Sequence, residues 1–286
     1  MTKINLSEFC APGATAKEEM IDITENVALR VFTFTPAEDR GNPTVLFVAG
    51  WISVIEAWKV VLREMTNDFT IYYIETREKI SSRVKGKAEY STEAIGKDIV
   101  AMTSHLNLRD GSYILSGSSL GATAILDCCR HLKHHPRCLV LINPNAVFRV
   151  PIIWKAVVYL FYPPFWSVIK PVVKWYLRTF RMDVESDRAQ YEKYCSALDG
   201  ADPWKSKKAA MALWNYQVWD RLENIPYPAL IVGASKDKLH EPENLKKIVS
   251  LMPRATYLDM VTNAAAHSKL MFEALREFVA QCRSER

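Results

Sequence analysis

The stretch Ser112-Tyr-Ile-Leu-Ser-Gly-Ser-Ser-Leu-Gly-Ala122 decides the fold that this sequence predicts. Its apolar run at residues 113–115 predicts a buried strand, and residues 122–132 predict a helix. Between the two lies Gly117-Ser118-Ser119-Leu120-Gly121, which matches the pattern G-x-S-x-G. The pattern alone also arises by chance, but a strand before it and a helix after it form the setting in which it exposes a reactive serine.

The two glycines of this motif have a steric explanation. A serine held on a strained turn leaves no room for side chains two positions to either side, and Gly117 and Gly121 occupy those positions. The helix that follows points its free N–H groups at the serine, where negative charge would develop in an acyl transfer. We therefore predict that Ser119 is a nucleophile.

The composition is that of an ordinary globular chain. Its 286 residues predict one large domain or two small ones, and 49% of them are hydrophobic. The net charge is +5 without a long Lys/Arg run, so we expect no binding of nucleic acid. The N-terminal residues lack the apolar core of a secretory signal, and the six cysteines lack zinc spacing. We therefore expect a cytoplasmic protein with reduced thiols.

Predicted strands and helices alternate along most of the chain. Residues 20–24 and 28–34 alternate apolar and polar side chains, which predicts a hairpin at a sheet edge. Further strands are predicted at residues 44–49, 69–74, 113–115, 138–142, 229–232 and 256–260, and helices at residues 51–65, 122–132, 243–252, 270–279 and after an N-cap at Ser91. This order predicts an α/β fold with a mostly parallel sheet and helices on both faces.

One long segment interrupts the alternation. Residues 146–225 have helical or irregular patterns, and a segment of this length is too long for a loop. We predict an inserted helical lid, or cap. The domain organisation is then a first core part at residues 1–145, the cap at residues 146–225 and a second core part at residues 226–286.

This order of elements resembles the α/β-hydrolase fold, with a cap after the strand that follows the elbow strand. The resemblance covers about residues 44–279. It rests on Ala49-Gly50-Trp51, the elbow, Ile231-Val-Gly-Ala-Ser-Lys-Asp237 and Ala264-Ala-Ala-His267. It implies a serine hydrolase that requires no metal and no organic cofactor.

The resemblance also assigns the other two members of a catalytic triad. Asp237 follows a predicted strand in the loop where the family carries its acid, and His267 lies between the last strand and the last helix, where the family carries its histidine. The chain order Ser119, Asp237, His267 is the order of this fold. A lone histidine is more often structural than catalytic. The assignment of His267 therefore rests on its place between the last strand and the last helix. His240, in the loop after Asp237, fits the family position worse; Glu241 and Glu243 are alternatives to Asp237.

An oxyanion hole needs two backbone N–H groups aimed at the developing alkoxide. Leu120 is predicted to supply one and Trp51 the other. Two segments depart from the family. The chain has Ala49-Gly50 where many relatives have His-Gly, and Glu75-Thr-Arg-Glu-Lys79 where relatives often have Asp-x-Arg-Gly-x-Gly. The second departure predicts a differently shaped loop beside the site.

The first half of the predicted cap has an unusual composition. Residues 146–182 contain no acidic residue. They contain ten aromatic and six basic residues: Phe148, Trp154, Tyr159, Phe161, Tyr162, Phe165, Trp166, Trp175, Tyr176 and Phe180, with Arg149, Lys155, Lys170, Lys174, Arg178 and Arg181. Pro163, Pro164 and Pro171 are expected to break this half into short pieces. Either the cap only packs on the sheet with its lysines reaching water, or its apolar face also forms an acyl pocket or rests on anionic membrane.

The sequence therefore predicts a hydrolase for a small-molecule or lipid-like ester with an apolar acyl or alkyl group. Trp51, Phe161 and Trp166 are the predicted pocket residues. A thioesterase, an acyltransferase and a carbon–carbon hydrolase would use the same triad, and a non-catalytic protein of the same fold is a further alternative.

Overall fold

A computed structural model of the chain describes residues 4–148, 152–182, 184–185, 188–237 and 240–284. Arg149 lies outside the described residues, as do the side chains of Trp154 and Arg181. The strands are β1 (Thr15–Thr24), β2 (Val27–Thr35), β3 (Thr44–Val48), β4 (Ile71–Ile74), β5 (Arg83–Val84), β6 (Tyr113–Ser118), β7 (Cys138–Ile142), β8 (Ala229–Gly233) and β9 (Ala255–Asp259). The helices are α1 (Lys59–Met65), α2 (Thr92–His105), α3 (Leu120–Cys128), α4 (Ile152–Leu160), α5 (Trp166–Tyr176), α6 (Arg188–Asp199), α7 (Pro203–Leu213), α8 (Pro242–Leu251), α9 (Asn263–Ala266) and α10 (Lys269–Ser284).

The strands form one sheet in the order β1-β2-β4-β3-β6-β7-β8-β9, with β5 paired to β2. β1, β2 and β4 pair antiparallel, which confirms the predicted edge hairpin. From β4 to β9 the strands are parallel. The predicted α/β class with a mostly parallel sheet is therefore confirmed.

Helices cover both faces of this sheet. On one face α2, α3 and α8 bury residues such as Ile99, Ile125 and Ile248. On the other face α1 and α10 bury residues such as Leu62 and Leu275. Every residue of β6, β7 and β8 is buried, which explains why these strands are continuous apolar or small-residue runs without alternation.

The segment after β3 differs from the sequence prediction of one helix at residues 51–65. Gly50 to Ser53 form a turn in which Ser53 N donates to Gly50 O at 3.2 Å, and Ile52 has a φ of 47°. A short 3-10 helix at Ile55–Trp58 follows, and α1 begins only at Lys59. A left-handed residue cannot continue a right-handed helix, so the helix starts later.

Helices α4 to α7 lie between β7 and β8, within the predicted cap segment. A 3-10 turn at Pro163–Phe165 separates α4 from α5, as expected from the prolines. The prediction for Pro171 is wrong, because it lies inside α5 and the helix continues to Tyr176. The domain division at residues 145 and 225 stays a prediction. No helix among the described residues is both long and apolar enough to cross a membrane.

Candidate active site

The elbow has the predicted geometry. β6 ends at Ser118, α3 begins at Leu120, and Ser119 between them has φ 46° and ψ −116°. This conformation is strained for a residue with a side chain. A Cβ on Gly121 would overlap the carbonyl oxygen of Val48, and a Cβ on Gly117 would lie 2.9 Å from Ile125 Cδ1. The steric explanation of both glycines is therefore confirmed.

A histidine and an aspartate are aligned with Ser119. His240 Nε2 lies 3.2 Å from Ser119 Oγ, and His240 Nδ1 lies 3.0 Å from Asp237 Oδ2. Because a carboxylate only accepts hydrogen bonds, Nδ1 carries the proton, and the lone pair of Nε2 faces the serine hydroxyl. Asp237 and His240 are both buried. Ser119, His240 and Asp237 thus form one continuous chain of contacts, the arrangement that an activated serine requires.

Two asparagines support this alignment. Asn263 Nδ2 donates to Asp237 Oδ2 at 3.0 Å, so that one carboxylate oxygen holds both Asn263 and His240. Asn145 Nδ2 lies 3.5 Å from Ser119 Oγ, and the Asn145 backbone N–H donates to Thr123 Oγ1 at 2.9 Å. Hydrogen bonds from Asn263, the first residue of α9, and from Asn145, after β7, therefore hold Asp237 and Ser119 in this alignment.

The structure places the predicted His267 in the same cavity but not on Ser119. Its Nδ1 donates to the carbonyl oxygen of Asn263 at 2.9 Å, and its ring lies 4.2 Å from the ring of Trp58 between centroids. Burial, with the positive charge of Lys193, lowers the pKa of His267 to about 3. The histidine in contact with Ser119 is His240, because the loop after β8 brings it there while the short helix α9 holds His267 against its own first turn.

Both predicted oxyanion segments lie beside Ser119. A Cβ on Gly50 would be 3.3 Å from Ser119 Cβ, so the turn that carries Trp51 lies against Ser119. Leu120 is the first residue of α3, and the first N–H groups of a helix have no acceptor within it. The oxyanion role of these two N–H groups stays a prediction.

A cavity of about 490 Å³ opens at Ser119 and is also lined by His240 and His267. Its walls come from the residues around the sheet and from helices α4 to α7 of the predicted cap segment. The apolar residues that line it include Trp51, Ile142, Phe148, Phe161, Trp166 and Leu177. The structure thus brings all three predicted pocket residues, Trp51, Phe161 and Trp166, to the cavity of the candidate nucleophile.

No protein-family profile matches the chain, and no curated protein matches it in sequence. Solved structures do match. A hydrolase from Pseudomonas aeruginosa PA01 is 17% identical with a TM-score of 0.74, over 93% of this chain and 98% of that one. A thermophilic esterase from Thermogutta terrifontis is 17% identical with a TM-score of 0.73, over 93% and 99%. An enol-lactonase from Burkholderia xenovorans LB400 is 13% identical with a TM-score of 0.72, over 88% and 97%. This chain has the α/β-hydrolase fold. The resemblance predicted from the sequence is confirmed.

The sequence predicts that His267 lies against Ser119, whereas in this α/β-hydrolase fold the histidine in contact with Ser119 is His240. The fold's usual order directs attention to a histidine after the last strand, which here is His267. The available signal was the sequence Asp237-Lys-Leu-His240, which places an acid and a histidine three residues apart in one loop, directly before the helix start at Pro242. Lys238 and Leu239 lie outside the described residues.

The loop after β4, which lacks the glycines that the sequence resemblance implies, carries buried charge instead. Arg77 forms a bidentate pair with Asp98, with Nε to Oδ2 at 2.7 Å and Nη2 to Oδ1 at 2.5 Å. Glu75 pairs in the same way with Arg30. Paired and hydrogen-bonded charges of this kind fix a loop in one conformation. The loop is therefore shaped by ion pairs and not by glycine turns.

Proposed function

We propose that this protein is a serine hydrolase that cleaves a carboxylic ester with an apolar acyl or alkyl group. Its triad is Ser119, His240 and Asp237. The observation that carries the proposal is the position of His240. Its Nε2 lies 3.2 Å from the Oγ of Ser119, which is the strained residue of the elbow, and its Nδ1 lies 3.0 Å from Asp237 Oδ2. The packing of helices on the sheet does not require Ser119, His240 and Asp237 to be aligned, so stability alone does not explain their arrangement.

The proposed reaction proceeds in two halves. Ser119 Oγ attacks the ester carbonyl while His240 Nε2 takes its proton, and Asp237 stabilises the imidazolium without accepting the proton. The N–H groups of Leu120 and Trp51 stabilise the alkoxide that forms. The alkoxide collapses, the C–O bond to the alcohol breaks, and His240 gives its proton to that alcohol. Water then attacks the acyl-enzyme by the same route and releases the acid and free Ser119.

The proposal assigns the base to His240 and a positioning role to His267. A general base must reach the proton it removes and should have a pKa near the operating pH. His267 donates to Asn263 O at 2.9 Å, and its pKa is lowered to about 3. Its ring therefore stays neutral and holds Asn263, whose side chain in turn donates to Asp237.

The apolar cavity supports the substrate class. A volume of about 490 Å³ lies in the range of small-molecule sites. Phe161 and Trp166, whose ring centroids are 5.8 Å apart, supply an aromatic wall from the cap. The same triad could also act on a thioester or transfer the acyl group to an acceptor other than water. The apolar lining of the cavity therefore supports a preference for an apolar acyl chain, and not for one type of leaving group or acceptor.

The proposal predicts a preference for longer acyl chains. Each methylene buried in the cavity contributes up to about 0.8 kcal/mol, so p-nitrophenyl esters of about six to ten carbons should have a higher kcat/KM than the acetate. Phe161→Ala and Trp166→Ala should reduce this preference more than they reduce acetate turnover. Phe165→Ala is the matched control, because Phe165 is a neighbouring aromatic residue that is 60% exposed. A flat or falling chain-length profile in the wild type would contradict the acyl pocket.

We also propose that the cap contacts an anionic lipid surface. Most of the large exposed apolar side chains of the described residues belong to the cap. We define the cap face as Ile152, Ile153, Leu160, Phe165, Val168, Val172 and Trp175. On α5 and the turn before it these residues recur at spacings of three and four, which places them on one side of the helix. Exposed apolar patches of this kind mark interaction sites.

The charges around the cap face support lipid as its partner. Residues 146–182 contain six basic residues and no acid. Two lysines of this segment also bond within the protein, because Lys170 and Lys174 both donate to Asp199. Lys207 of the neighbouring helix α7 donates to the carbonyl oxygens of Tyr159 and Phe161. Binding of the cap face to the membrane should therefore depend mainly on the apolar area that it buries. The electrostatic contribution should be smaller than the number of basic residues suggests.

Vesicle co-sedimentation tests the cap face. The wild type should sediment with phosphatidylserine-containing vesicles at low salt, and high salt should weaken the binding only in part. A Val168→Ser/Val172→Ser variant should bind at least about tenfold more weakly, because each buried valine contributes about 1.5 kcal/mol or more. Leu270→Ser is the control, since Leu270 is 58% exposed on α10. No binding at low salt, or an equal loss in the control, would refute the proposal.

A further inference from the structure

The turn beside the nucleophile is held by a buried lysine. Lys79 Nζ donates to the carbonyl oxygen of Gly50 at 2.7 Å and to that of Ser53 at 2.5 Å. These two carbonyls belong to the first and last residues of the turn that contains Trp51. A Cβ on Gly50 would lie 3.2 Å from Ser118 O and 3.3 Å from Ser119 Cβ, so the position of this turn sets the distance from the Trp51 N–H to Ser119.

Lys79 is unusual for a lysine, because it is only 8% exposed. Burial lowers the pKa of its ammonium, while the neighbouring carboxylates of Glu78 and Glu75 raise it. Lysine is almost never buried unless it is paired. The desolvation is offset here by two backbone acceptors and a buried carboxylate on the adjacent residue, an arrangement that fixes the position of the ammonium.

A second lysine joins the same loop to the cap. Lys205 lies in the first turn of α7, and its Nζ donates to the carbonyl oxygens of Lys79 and Ser82, each at 2.8 Å, and to Ser82 Oγ at 2.9 Å. The Asp202 side chain caps α7 and accepts from the Lys205 backbone N–H at 3.0 Å. The same helix supplies Ser206 and Ala210 to the wall of the cavity.

We propose that Lys79 is the positioning residue of the oxyanion turn and that Lys205 couples this turn to the cap. The connection runs from α7 through Lys205 to the backbone of Lys79, and from the Lys79 ammonium to Gly50 and Ser53. The cap is then part of the catalytic arrangement, because the helix that lines the cavity also determines the position of the Trp51 N–H, which stabilises the alkoxide. This inference rests on the proposed serine hydrolase function.

The variants Lys79→Met and Lys205→Met test the coupling on p-nitrophenyl acetate, a substrate too small to depend on the cap wall. Lys79→Met should lower kcat by about 10- to 100-fold with little change in KM, because a misplaced donor weakens stabilisation of the transition state and not binding of the ester. Lys205→Met should lower kcat by up to about tenfold. Because Lys79→Met removes the positive charge that acts on the buried Glu78, a Glu78→Gln/Lys79→Met variant serves if the single variant does not fold.

A transition-state analogue separates positioning from general structural damage. A trifluoromethyl ketone forms an oxyanion adduct with a nucleophilic serine, so its inhibition constant should rise in parallel with the fall in kcat, while the KM of the ester stays nearly constant. The double variant Lys79→Met/Lys205→Met should lose no more than Lys79→Met alone, because both residues act through one connection. Lys208→Met is the control: it removes the same charge from α7, but Lys208 is exposed and lies over the Tyr90 ring.

The outcomes also separate this inference from the proposed function. If the wild type neither hydrolyses esters nor is labelled by fluorophosphonate, the serine hydrolase proposal fails. If the wild type is active but folded Lys79→Met keeps its kcat, or the two lysine variants have additive effects, the coupling is refuted and the triad assignment stands. A rise in KM with constant kcat would likewise overturn the positioning role.

Discussion

Replacing Ser119 by alanine should lower ester turnover by about 10⁶-fold and abolish fluorophosphonate labelling. The hydroxyl is the only part of the residue that changes, and it lies 3.2 Å from His240 Nε2. Alanine fits the elbow as well as serine does, since the strain at φ 46° is a backbone property that both residues share. The thermal midpoint of the variant should therefore stay close to that of the wild type.

The matched control for this experiment is Ser118→Ala. Ser118 precedes the nucleophile and ends β6, so this variant tests an adjacent hydroxyl in the same segment. It should still be labelled, and mass spectrometry of the labelled wild type should place the modification on Ser119. Labelling at another residue, or wild-type turnover in Ser119→Ala, would show that the nucleophile is assigned wrongly.

The elbow and the sheet could be predicted because their determinants are local. The strands β6, β7 and β8 are buried throughout, so their apolar runs are visible in the sequence. Gly117 and Gly121 occupy positions where a single added carbon would collide with neighbouring atoms. Steric exclusion of this kind leaves only one residue type, and such a position can be recognised without knowing the fold.

The contact between His240 and Ser119 could not be predicted, because it depends on the path of a loop. His240 and Asp237 are three residues apart, and only the conformation of the loop after β8 brings the ring between the carboxylate and the serine. His267 has the expected position in the chain order, yet the end of α9 turns its ring onto the Asn263 carbonyl. Chain order gives the neighbourhood of a side chain, but not the direction in which it points.

The contacts of Lys79 and Lys205 were equally hidden from the sequence. Lys79 and Gly50 are 29 residues apart, and Lys205 and Lys79 are 126 residues apart. The sequence showed only that the family's glycines are missing from this loop. The missing glycines predict a different loop shape. The contacts of Lys79 with Gly50 and of Lys205 with Lys79 become visible only in the folded chain, where α7 lies against this loop.

Exchanging the two histidines for glutamine should give opposite results. His240→Gln removes the lone pair that faces Ser119 Oγ and should lower kcat by about 10⁴- to 10⁶-fold. His267→Gln can retain a donor to the Asn263 carbonyl and should cost less than about 100-fold, through a small displacement of Asn263 and Asp237. The same substitution at both positions makes each variant the control of the other.

The pH dependence of kcat/KM gives a second measurement, and a residue with a purely structural role should not change it. The acid limb of kcat/KM reports the base of the free enzyme, and it should be the same in His267→Gln as in the wild type. The pKa of His267, at about 3, lies below the range in which an ester hydrolase is assayed, so removing that ring should remove no titration step. If His267→Gln instead loses about 10⁶-fold while His240→Gln keeps its turnover, the base is His267 and the loop after β8 must rearrange before catalysis.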